Sequence, residues 1–137
     1  MIPQVFVHVL PGLVALALAA SVVMRLGSQR QKTTMAAVLV CWIGATLGQM
    51  LSGEIFVPLI VGDVVFSLWL FWFVWRGPEW WLWTLLAIEG VRLSLHALAY
   101  QAFPGPAYAF ANNTLSLAGL AALAAAAIGR SRRNRPA

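Results

Sequence analysis

A chain of 137 residues holds one domain and no more. With 61% hydrophobic and 9% charged residues it lacks the charged surface, about 25% of residues, that keeps a soluble domain in water, which leaves lipid as its solvent. The net charge of +5 lies between apolar runs and in a tail, not on one face of a soluble module, so the composition excludes a nucleic-acid-binding reading.

Five apolar runs of membrane-spanning length follow one another, at residues 2–24, 35–51, 55–75, 80–100 and 107–129. A hydrocarbon core about 30 Å thick needs roughly 20 helical residues. An open chain can satisfy its backbone groups in lipid only as helices. The expected fold is therefore all-α: a polytopic bundle of five transmembrane helices with a basic tail at 130–137.

The first run has no basic residue ahead of it and is too long for a signal-peptide core, so it reads as a helix kept in the protein. It carries His8, three residues ahead of Pro11. The connection from Arg25 to Thr34 is the longest expected loop. The second run is the shortest and contains the lone cysteine, Cys41, which reads as a small packing residue. Gly44 and Gly48, followed by Ser52, form a small-xxx-small stripe that permits close helix approach, and Gln49 is the polar residue beside it. After the turn at Ser52-Gly53-Glu54 the third run carries Asp63. The breaker Arg76-Gly77-Pro78-Glu79 leads to the fourth, which carries Glu89, Arg92 and His96. The segment QAFPGP, residues 101–106, leads to the fifth. There Asn112 and Asn113 sit near the start, and Ala118, Ala122 and Ala126 form a second small-residue stripe. Connections this short are expected to make sequential helices antiparallel neighbours.

The first and third loops and the tail hold Arg25, Arg30, Lys32, Arg76, Arg130, Arg132, Arg133 and Arg135. The second and fourth loops and the extreme N-terminus hold no Lys or Arg. The positive-inside rule then predicts an external N-terminus and a cytoplasmic C-terminus, in the inner membrane of a bacterium. Trp72, Trp75, Trp80, Trp81 and Trp83 gather around the third loop as an interfacial belt, and Tyr100, Phe103 and Tyr108 mark the opposite side.

The chemistry lies in the charges inside the runs. A lipid-exposed charge at mid-helix costs roughly 2.5 to 3.5 kcal/mol, so Asp63, Glu89 and Arg92 must turn inward. Asp63 and Arg92 each lie eight residues from the outer end of their run, on adjacent antiparallel helices. Glu89, Arg92 and His96 are spaced three and four apart and share one helix face. An Asp63–Arg92–Glu89 cluster is the expected solution. His8, Gln49, Asn112 and Asn113 fall in the same outer half, while the inner half reads as almost wholly aliphatic and aromatic. Such a cluster fits two roles, fixing helix registry or lining a cavity for a proton, an ion or a small polar ligand.

Gly62-Asp63, the segment WRGPEWWLW and the segment EGVRLSLHALAY together resemble small uncharacterised polytopic membrane proteins of alphaproteobacteria. The resemblance covers about the last two thirds of the chain. It implies a membrane bundle and carries no activity or site residue.

The sequence contains no P-loop, HExxH, CxxC, GxSxG or dinucleotide fingerprint. Two distant histidines and one cysteine make no standard metal set, so neither a metal nor another cofactor is expected. The leading expectation is a non-enzymatic bundle with a polar cluster in its periplasmic half that handles a proton, an ion or a small polar ligand. It would act alone, by self-association or with other membrane subunits. A holin-like lysis or pore protein and a purely structural subunit are the alternatives. An intramembrane enzyme using Glu89 and His96 as acid and base is a further reading that lacks a nucleophile.

Overall fold

A computed structural model describes the backbone of residues 4–53, 56–102 and 106–133, and the side chains of 12–53, 56–101 and 106–133. Five helices account for nearly all of it: α1 Gln4–Leu26, α2 Gln29–Ser52, α3 Phe56–Arg76, α4 Trp80–Ala102 and α5 Pro106–Arg133. No strand occurs among the described residues. The all-α bundle expected from the apolar runs is the observed architecture.

The helices outrun the apolar runs at the basic end. α2 starts at Gln29, not at residue 35, so the expected loop from Arg25 to Thr34 shrinks to the link at Gly27-Ser28. The cause is a reciprocal cap. The Ser28 hydroxyl accepts from the Gln31 backbone N–H at 3.2 Å, and Gln31 Oε1 accepts from the Ser28 N–H at 2.7 Å. α5 likewise runs on to Arg133, taking the first half of the expected tail into the helix. Arginines in a last turn favour the negative end of the helix dipole, so the basic residues extend the helix instead of ending it. At the other end of α2, Gly53 adopts φ of +69° and its N–H reaches Gln49 O at 3.0 Å. That left-handed cap suits glycine because it has no Cβ to clash.

The helices form a ring in the order α1, α5, α4, α3, α2. α1 packs mainly on α5 and touches α2, its neighbour in sequence, only lightly. This corrects the expectation that every short link makes close-packed neighbours. A tight link fixes chain direction, whereas packing follows the small residues. Ala126 and Ala127 of α5 share the core with Leu16, Ala19 and Val23 of α1. The α2–α3 seam is equally close. A Cβ on Gly48 would meet Pro58 Cβ at 2.9 Å, and one on Gly62 would meet Cys41 O at 3.5 Å.

The two small-residue stripes fare differently from expectation. Gly48 is a contact residue, but Gly44 is exposed, with nothing within 4 Å of where its Cβ would stand. The contact face of α2 runs through Cys41, Ala45 and Gly48, at helical spacings of four and three, and Gly44 falls off it. On α5, Ala118 is exposed and Ala122 half-buried. Gly119 takes the expected place of Ala118, its Cα side facing Leu85.

Among the described residues, α2, α3, α4 and α5 are each long and apolar enough to cross a membrane. α1 has the length, 23 residues, and its apolar stretch Gly12–Leu26 lies within the part whose side chains are described. Large apolar side chains cover the outside of the bundle: Leu18, Leu68, Leu98 and Phe110 are 64%, 65%, 67% and 74% exposed. In water such a surface would drive aggregation; against lipid tails it costs nothing.

Candidate functional site

The i, i+3, i+4 rule on α4 decides which side chains reach the middle of the ring. Leu82, Leu85, Glu89, His96 and Ala99 are all buried, and they recur at helical spacing along one face. That face therefore carries a carboxylate, a guanidinium and an imidazole into the interior. α3 presents Asp63 to it from the next helix, one face with Phe66 and Leu70.

The result is one continuous polar network. Arg92 Nη2 pairs with Asp63 Oδ1 at 3.1 Å, and Nη1 donates to Glu89 Oε1 at 2.9 Å. Arg92 Nε reaches Asn112 Oδ1 on α5 at 3.3 Å. His96 Nε2 lies 2.7 Å from Asp63 Oδ2, and Tyr108 Oη lies 2.7 Å from His96 Nδ1. An ionised Asp63 only accepts, so Nε2 then carries the hydrogen, and in a neutral imidazole Nδ1 accepts from the tyrosine hydroxyl. His96 is fully buried, with Asp63 and Glu89 at 7% and 5% exposure. Burial of these groups is tolerable because the Arg92 guanidinium lies within hydrogen-bond distance of both carboxyl groups.

A cavity of about 350 Å³ adjoins the network and is lined from all five helices. Asp63, Glu89, Arg92, Asn112 and Asn113 form its polar part, while Leu16, Phe66 and Leu120 are among its apolar walls. Glu89 Oε2 is buried and has no hydrogen-bond partner among the described residues. Below the cavity, toward the basic end, Leu70, Val74, Leu82 and Leu123 close the interior with apolar side chains.

Of the residues singled out from sequence, Asp63, Glu89, Arg92, His96 and Asn112 are brought into one network. Asn113 touches only the cavity and is otherwise exposed. Gln49 is half-buried and does not line it. The side chain of His8 lies outside the described residues, as does Phe103. Tyr108, expected to be an interfacial marker, forms the end of the hydrogen-bonded chain, on His96. Its spacing of four from Asn112 puts both on one face of α5, a signal the sequence did carry.

The basic end is more polar than expected. Gln31 and Thr34 are buried in α2. The Arg30 guanidinium donates to Gly77 O at 2.9 Å and Phe73 O at 2.8 Å, and pairs with Glu79 Oε1 at 3.1 Å. Trp81 is 1% exposed and belongs to the core, not to the interfacial belt, because its indole N–H finds Glu79 Oε2 at 2.8 Å. The Arg76 guanidinium stacks over the Trp72 ring, 4.3 Å from its centroid. Among the described residues no group of three His, Cys, Asp or Glu is arranged to hold a metal ion.

The fold and this site together define an α-helical membrane bundle built around a charged chamber. The chain matches no protein-family model, no curated protein and no solved structure.

Proposed function

We propose that this chain is a non-enzymatic multi-pass protein of a bacterial inner membrane that handles protons and a small polar solute in its central chamber. The observation that carries the reading is the unbroken chain Tyr108–His96–Asp63–Arg92–Glu89 beside a cavity lined by all five helices. His96 is suited to pass a proton through its ring, accepting at Nδ1 from the Tyr108 side and releasing from Nε2 to Asp63. Protonating Asp63 removes one of the two carboxylates that hold Arg92, so proton arrival and the position of the guanidinium are coupled. The apolar closure below the chamber argues for alternation between two states, not an open channel, and so against a holin-like pore within a single chain.

Proteoliposomes loaded with a pH dye, with valinomycin and potassium to clamp the potential, test this after an external acid pulse. Wild-type protein is expected to acidify the lumen well above the rate of empty vesicles, and His96→Gln about tenfold more slowly, the loss expected when a proton relay is removed. Equal rates for wild type, His96→Gln and empty vesicles would reduce the chamber to helix packing. The orientation has its own check. Reporter fusions after Glu54 and after Gly105 are expected to read outside, because eight Lys and Arg flank the other ends of the helices. A cytoplasmic reading at either point overturns it.

A further inference from the structure

At the basic end, beyond the apolar closure, a crevice of about 510 Å³ opens between the ends of α2, α4 and α5. Its charged and polar wall is Gln31, Glu79, Arg130 and Arg133, with Trp80 and Trp81 beside them. Ala126, Arg130 and Arg133 are spaced four and three apart, so the face of α5 that is buried at Ala126 comes out at the helix end as two arginines.

The crevice has more donors than acceptors. Arg130 is exposed and has no hydrogen-bond or ion-pair partner among the described residues. Arg133 uses only Nε, on Gly129 O of its own helix at 3.5 Å. Glu79, the one acid in the wall, accepts from Arg30 at Oε1 and from the Trp81 indole N–H at Oε2. Its charge is thereby offset by Arg30, and the two arginines of α5 stay uncompensated. A guanidinium does not lose its proton in a protein, so this positive surplus depends on no titration.

A second observation comes from inside the crevice. Gln31 is 2% exposed, and its Oε1 accepts from the Ser28 N–H. A backbone N–H only donates, so that bond fixes which end of the amide is oxygen. The NH2 end is left over. It donates to none of the described residues, and unlike Glu89 Oε2 it is not sealed off from the surface. An unpartnered amide in the wall of an open crevice is served by what occupies the crevice. Two guanidinium groups and an amide facing one space call for an acceptor-rich anion.

The level of the crevice decides which anion. Trp80 at its rim is 56% exposed, and the same two helices turn apolar within one turn of it, at the exposed Trp83 and Ile128. Exposed tryptophan at the end of a membrane helix marks the headgroup layer. The anion concentrated in that layer is lipid phosphate, and each arginine near the surface strengthens its binding about fivefold. We propose that the crevice is a headgroup site for an anionic phospholipid, with its phosphate on Arg130 and Arg133, a further headgroup oxygen on the Gln31 amide, and its glycerol against Trp80. The volume suits a substituted headgroup, since small-molecule sites run from about 300 to 1,000 Å³. This site is separate from the chamber and does not rest on the function proposed for it.

The full chain in a non-ionic detergent is titrated with dihexanoylphosphatidylglycerol, and binding is read by calorimetry and thermal shift. Dihexanoylphosphatidylcholine serves as a lipid with the same chains and phosphate but no net charge, and glycerol 3-phosphate as the free anion. Phosphatidylglycerol is expected to bind saturably, and the other two at least about tenfold more weakly. Arg130→Gln and Arg133→Gln should each weaken it about fivefold. Arg132→Gln removes the same charge from the same helical turn but outside the crevice, and should change binding less than about twofold. Gln31→Glu keeps the acceptor for the Ser28 N–H while replacing the free donor with a carboxylate, and should weaken binding at least as much as Arg130→Gln. Equal binding of the two lipids would show no recognition of charge and overturn the proposal. Glycerol 3-phosphate binding as tightly as phosphatidylglycerol would make the crevice a site for a soluble anion. Equal losses in Arg130→Gln and Arg132→Gln would reduce it to diffuse attraction, and either result also overturns the lipid site. The wild-type comparisons stand even if Gln31→Glu fails to fold.

Discussion

The molecule has two arginine–carboxylate clusters, and they are built for different ends. At the basic end Arg30 bridges α2 to the turn between α3 and α4, with 29% of its side chain and 40% of that of Glu79 exposed. Its guanidinium caps the carbonyls of Phe73 and Gly77, and Glu79 uses both oxygens, one for Arg30 and one for Trp81. In the middle of the ring Arg92 joins Asp63 and Glu89 with 15%, 10% and 6% side-chain exposure, and one carboxylate oxygen is left over. The first cluster is wet and fully satisfied, as a joint should be. The second is dry and beside a cavity, with Glu89 Oε2 buried and without a hydrogen-bond partner among the described residues. The same residue types therefore mark a fastening in one place and a candidate site in the other, and what separates them is burial and the completeness of their hydrogen bonding.

The largest expected difference between the two is in stability. Arg92→Gln leaves two buried carboxylates facing each other and should cost about 3–5 kcal/mol, read as a drop in resistance to unfolding in detergent. Asp63→Asn should also destabilise, and combining the two should restore part of the loss, with Glu89 limiting the recovery. Strictly additive losses would show that the two side chains do not interact. Arg30→Gln, in the wetter cluster, should cost about 1 kcal/mol or less. An equal cost at both sites would erase the distinction.

A smaller effect tests the scaffold that holds Asp63 in register. Gly48→Leu must displace Pro58 at the start of α3 and should cost about 1–3 kcal/mol. Gly44→Leu, on the open face of the same helix, should stay within about 0.5 kcal/mol of wild type by the same unfolding measurement. The reverse order would mean that α2 packs through its other face and that the chamber is drawn around the wrong wall.

The smallest is Tyr108→Phe, which removes one hydrogen bond to His96 and should cost about 1 kcal/mol. Its value is in the contrast it draws. A stability loss of that size together with slower proton entry would assign the tyrosine to the relay. The same loss with unchanged entry would confine it to positioning the imidazole.

Much of this was legible from residues alone because lipid imposes few solutions. An apolar run of some twenty residues has to be a helix, since its backbone groups find no other partner there. A charge inside such a run has to turn inward, and two charges at equal depth on helices joined by a four-residue turn can reach each other. That reasoning suffices for the five helices and for the pairing of Asp63, Arg92 and Glu89. It also has a blind side. Hydropathy sees only the stretch inside hydrocarbon, so it missed the first six residues of α2 and the last four of α5, which are helical on account of a capping box and a favourable dipole.

What only the tertiary structure decided is which faces meet and what they leave between them. Helical spacing says that Gly44 and Gly48 share a stripe, but only the rotation of α2 against α3 puts Gly48 on Pro58 and leaves Gly44 open. The choice of α5 over α2 as the main partner of α1, the recruitment of Tyr108 to His96 and the unmatched oxygen of Glu89 have the same origin. Each depends on helix rotation within the ring, which is set by the fit of many small contacts at once and leaves no periodic trace along any single run.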